Sequence, residues 1–100
     1  MDKAYEQLSA DFTSKAQRLF ILTYAKFRET TKKLDRRKDE NVFQLQLAKF
    51  TDTLKLQLEQ TAHEVLQTNK TVTNSEQANQ VLKHSINIYL AEFRQKARLL

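Results

Sequence analysis

An all-α, three-helix bundle running up-down-up is the fold this chain predicts, and three observations predict it. The 100 residues contain no Gly, Pro, Cys or Trp, and helix formers such as Leu, Lys, Gln, Ala, Glu and Arg dominate. Apolar residues recur at steps of three, four and seven over long stretches. That register then breaks at two places, which divides the chain into three segments within one domain, residues 1–100.

The first segment carries Tyr5, Leu8, Phe12, Ala16, Leu19, Phe20, Thr23, Phe27 and Leu34 on one face about half a helix circumference wide, predicting a helix over about 2–36. Continued at about 100° per residue, that face would run through the polar Lys38 and Asn41, whereas Phe43 and Leu47 lie nearly opposite. The phase jump predicts a turn between Leu34 and Val42. With no Gly to close it, the side chains of Asp35, Asp39 and Asn41 are expected to cap it. The rival is one unbroken rod, which would imply an extended dimer.

Phe43, Leu47, Phe50, Leu54, Leu58, Thr61 or Ala62, and Val65 form the seam of a second helix over about 41–68. The alternations Phe43 to Leu47 and Leu54 to Leu58 resemble strands locally, but the three/four spacing runs unbroken through both. Residues 68–74 are poor in helix formers, and Thr73-Asn74-Ser75-Glu76 matches a capping box, in which hydroxyl and carboxylate satisfy backbone donors reciprocally. A third helix is therefore expected over about 74–99, with Ala78, Leu82, Ile86, Tyr89, Phe93, Ala97 and Leu100 as its seam. Short connections between long helices favour antiparallel neighbours.

Composition excludes several classes of chemistry. Without Cys there is no disulfide, thiolate metal site or cysteine nucleophile. Without Gly there is no phosphate-cradling loop. The opening Met1 to Glu6 has no basic stretch leading into an apolar one, and the longest run of large apolar residues is Leu19 to Leu22. A cytoplasmic chain with no membrane span is the expectation, and the sequon Asn69-Lys70-Thr71 is then incidental. The two histidines, His63 and His84, lie off the apolar seams. Glu59 and His63 stand four apart, where they can share a metal or simply a hydrogen bond, but neither histidine has Glu three residues before it as a diiron bundle requires. No catalytic residue, metal site or cofactor is assigned.

Binding is the remaining class. Outside the main seams lie Ile21, Tyr24, Leu45, Leu56, Val81, Ile88 and Leu99, with Leu90 on another side again. A bundle of single-faced helices would leave these in water, where clustered large apolar residues mark interfaces more often than chance, although scattered ones are ordinary. They predict a non-enzymatic interaction module that binds another protein or its own copy, as a homodimer.

Charge suggests a second partner. The net charge is +5. In the up-down-up arrangement, residues 28–40 and 92–98, each net +2, share one pole, while residues 1–15 and 59–76 are net −3. Lys32, Lys33, Arg36, Arg37, Arg94 and Arg98 are the candidate contacts to an anionic partner, nucleic acid being the alternative reading. The plainer account is that cations complement helix C-termini by a few tenths of a kcal/mol to about 1 kcal/mol. Against it, Lys32 with Arg36 and Lys33 with Arg37 would be repulsive i,i+4 pairs on a continuing helix.

Overall fold

The computed structural model describes residues 3–35, 37–68 and 75–99, with backbone alone for residues 3–5 and 75. Three α-helices make up 91% of it, α1 (Lys3–Thr31), α2 (Glu40–Thr68) and α3 (Ser75–Arg98), and there is no strand among the described residues. The helices lie side by side in a rod of 52 × 19 × 18 Å. That length suits 29-residue helices, each about 44 Å long at 1.5 Å per residue.

Ring contacts fix the directions. Phe20 of α1 packs on Tyr89 and Phe93 of α3, and Tyr24, one turn later, packs on Phe93. Lys96 then reaches back over both Phe20 and Tyr24, so the two helices advance together and are parallel. α2 runs back between them. Helix-forming residues with three apolar stripes thus fold into the up-down-up bundle.

The core alternates bulk and absence of bulk. Phe12, Phe27, Phe43 and Phe93 are fully buried, and the small Ala16, Ala78 and Ala97 in the same core are inaccessible. Small residues opposite large ones let three helices approach closely while the interior stays filled. Four threonines also reach core positions: Thr23, Thr31, Thr51 and Thr61. Three of them turn their hydroxyls onto their own helix. Thr31 donates to the Phe27 carbonyl at 2.8 Å, Thr51 to Leu47 at 2.6 Å and Thr61 to Gln57 at 2.8 Å, so burial leaves these groups satisfied.

α1 ends at Thr31, about five residues earlier than its apolar pattern predicts. The reason is the acid-closed turn. The Asp35 amide donates to the Asp39 carboxylate at 3.0 Å, the Asp39 amide donates to the Asp35 carbonyl at 2.6 Å, and the Arg37 amide donates to the Asp35 carboxylate at 2.9 Å. Asp39 is the N-cap of α2, its carbonyl accepting the Phe43 amide at 2.8 Å. Asp35 and Asp39 therefore do the work expected of them, while Asn41 sits inside α2. No described residue has positive φ, so this turn needs no glycine. Leu34 still packs on the core, carried there by the Leu34 amide donating to the Thr31 carbonyl at 3.0 Å rather than by helix.

The early stop corrects the expected charge strain: Lys32, Lys33 and Arg37 lie beyond the helix, so the helical i,i+4 repulsion does not arise. Leu90 is a second correction. It is 5% exposed and belongs to the core. α3 packs against two helices at once, so its buried face extends from Tyr89 on the α1 side past Phe93 to Leu90, wider than the single seam predicted. The capping box at residues 73–76 falls largely outside the described residues, as do Asn69 to Thr71, Arg36 and Leu100.

Candidate interaction surfaces

Helix geometry sorts the exposed apolar residues into separate faces, since each residue advances about 100°. On α3, Val81, Ile88 and Leu99 fall within about 20° of one line, and that line lies beyond Tyr89 and Lys96, on the outer side of the edge α3 shares with α1. Ile21 lies correspondingly beyond Phe20 and Tyr24 on α1. All four are exposed, Ile21 at 66% and Leu99 at 81%. They flank one edge of the rod.

Leu45 and Leu56 are equally exposed but occupy the back of α2, roughly opposite its core face of Phe43, Leu47, Leu54 and Leu58. The bundle thus separates them from the α1/α3 edge. Tyr24 is half-buried: it stacks on Phe20, meets Phe93 edge-on with centroids 6.1 Å apart, and lies under the Lys96 ammonium at 5.0 Å. Leu22 and Val42 are exposed as well, beside the α1/α2 edge. Neither belongs to an apolar seam of the sequence nor to the predicted interface set, and both stand about 100° from a core neighbour, Thr23 and Phe43.

The cations divide similarly. Lys33 and Arg37 project from the α1–α2 turn, and Lys32 is paired with Glu29 at 2.7 Å. Both partners are more than half exposed, so that ion pair contributes at most about 1 kcal/mol. Arg94 and Arg98 lie toward the same end of the rod, but on the flank of α3 that faces α2, beside Gln44. With Gln44, Ala48 and Asp52 they line a shallow depression of about 210 Å³. Further along the same seam a larger depression, about 540 Å³, lies between Lys55, Glu59, His63 and Leu66 of α2 and Asn79, Lys83, Ile86 and Asn87 of α3.

Titratable chemistry is sparse. His63 Nε2 lies 3.0 Å from Gln67 Nε2, which engages the ring with Gln67 rather than Glu59. Among the described residues no three His, Cys, Asp or Glu side chains gather as a metal site would require. Burial, reinforced by the Glu92 carboxylate one turn on, pushes the Tyr89 phenol above its ordinary value of 10.0. No helix among the described residues is long and apolar enough to cross a membrane.

No family model, curated protein or solved structure matches this chain.

Proposed function

We propose that this protein is a non-enzymatic helical interaction module that pairs with a second copy of itself along the α1/α3 edge. The observation that supports the reading is the line of Val81, Ile88 and Leu99 on α3, with Ile21 beside it on α1, all exposed. A helix that already fills its core face with Ala78, Leu82, Ile86, Leu90, Phe93 and Ala97 gains nothing in the monomer from a second apolar line. Such a line gains free energy only when another apolar surface covers it, at about 25 cal/mol per Å² removed from water.

A second copy is the occupant that geometry favours. The rod is only 18–19 Å across, so one molecule has a thin core and a long flank. Two-fold pairing along that flank brings each apolar line onto its equivalent, and two-fold dimers are the commonest closed assemblies.

Light scattering on the purified protein at micromolar concentration tests this. The expected mass is that of a dimer, and Ile88→Asp is expected to halve it with the helical circular dichroism unchanged. Leu56→Asp, on the far face of α2, is expected to leave the dimer intact. A monomer across the whole concentration range overturns the reading.

A further inference from the structure

The three seams of the bundle are closed differently. Phe27 of α1 packs on Phe43 and Phe50 of α2, and Phe20 and Tyr24 pack on α3. Every ring contact between helices among the described residues includes an α1 residue. Between α2 and α3 the closing side chains are smaller: Thr51, Ala62, Leu82 and Ile86 are buried there, with Leu66 half-buried. Two depressions lie along this seam, and a further one of about 330 Å³ lies at the α1/α3 edge between Phe20, Glu92, Lys96 and Leu99. Together the two along the seam span α2 from Gln44 to Leu66, about 33 Å at 1.5 Å per residue.

Charge is distributed unevenly along this trough. The α3 rim carries Lys83, Arg94 and Arg98 and no acid, with Asn79 and Asn87 in line. The α2 rim carries Asp52, Lys55 and Glu59. Neither Lys83, Arg94 nor Arg98 has an ion-pair partner among the described residues.

We infer that the α2/α3 trough is a docking site for an acidic amphipathic helix of another protein, which completes a four-helix bundle. An antiparallel helix pair with small closing residues accepts a further helix by packing ridges into the groove, at the usual interaxial distance of about 8–10 Å. The apolar stripe of the incoming helix lies on Leu66, Leu82 and Ile86, and its acidic edge faces Lys83, Arg94 and Arg98. A nucleic acid fits this trough less well, because Asp52 and Glu59 on the facing rim repel phosphates and the apolar floor offers them nothing. The site is separate from the α1/α3 edge, so it does not depend on self-association.

The test is titration of the full chain, labelled with ¹⁵N, with a synthetic helix of about 20 residues bearing leucine at every third or fourth position and glutamate beside it. Saturable binding is expected, with amide shifts concentrated at Lys83, Asn87, Arg94 and the facing residues of α2. The variant Lys83→Glu/Arg94→Glu/Arg98→Glu is expected to weaken it at least tenfold. If that variant loses helical content, the neutral Lys83→Gln/Arg94→Gln/Arg98→Gln serves, with a loss of several-fold expected. Failure of the helix to bind overturns the inference. So does equal binding of a peptide of the same composition in shuffled order, which would signal attraction by net charge alone. An oligonucleotide that shifts the same amides at lower concentration also overturns it and assigns the trough to nucleic acid.

Discussion

The seams that α1 makes and the seam between α2 and α3 bury residues of the same helical character, yet they are built on different principles. α1 presents Phe20, Tyr24 and Phe27, and these rings interlock with Phe43, Phe50, Tyr89 and Phe93 at centroid distances of 5.4 to 6.2 Å across the helices. Aromatic pairs in edge-to-face arrangement add about 0.5–1.5 kcal/mol each to the apolar area they bury. The α2/α3 seam relies on alanine, threonine and aliphatic side chains, which close the interior but leave the outer groove open. Ring contacts are thus concentrated on α1, whereas the α2/α3 seam is closed by smaller side chains.

The sharpest way to break this comparison is Phe27→Ala. Phe27 is inaccessible and touches rings from both other helices, so its loss is expected to destabilise the fold by about 3–5 kcal/mol, read from chemical denaturation. Equal losses from Phe27→Ala and Leu66→Ala would show that α1 has no special weight.

Insertion of bulk probes the same contrast from the other side. Ala16→Leu, on the inaccessible face of α1, is expected to cost about 1–3 kcal/mol by overpacking. Ala62→Leu, beside the trough, is expected to cost less than about 1 kcal/mol because the added atoms extend into the groove. Matching penalties would mean that the trough closes in solution.

A smaller effect belongs to the turn that sets α1 against α2. Asp39→Ala removes the carboxylate that accepts the Asp35 amide, and a loss of about 1 kcal/mol is expected by the same denaturation measurement. The smallest effect is a pH dependence at the α1/α3 seam. Because the folded Tyr89 phenol titrates above its unfolded value of 10.0, the unfolded chain releases this proton first as pH rises. The favourable contribution is therefore complete below that value and is lost as pH climbs through the folded value. Thermal melts in alkaline buffers are expected to show a shallower decline for Tyr89→Phe than for the parent chain.

Several of these features were legible in the linear pattern. The phase jump after Leu34 marks a reversal, and Asp35 and Asp39 are the groups that make it without glycine. The exposure of Ile21, Leu45, Leu56, Val81, Ile88 and Leu99 also follows from spacing alone. The stop at Thr31 was not legible, because Leu34 continues the apolar pattern whether it reaches the core as helix or as turn. Leu90 was hidden for a related reason: one seam per helix assumes one neighbour, and α3 has two. Arg94 and Arg98 read as helix-end charges in sequence, yet the rotation of α3 against α2 turns them into the rim of a groove.

Sequence by itself determined the helical class, the two reversals and which side of each helix is apolar, because all three follow from backbone preferences and the 3.6-residue repeat within single segments. Only the tertiary structure decided which exposed residues share a surface, since that depends on how each helix is rotated about its axis when three apolar faces of different width and ring content pack together. The same rotation separates Leu45 and Leu56 from Ile88, buries Leu90, and leaves the trough between α2 and α3.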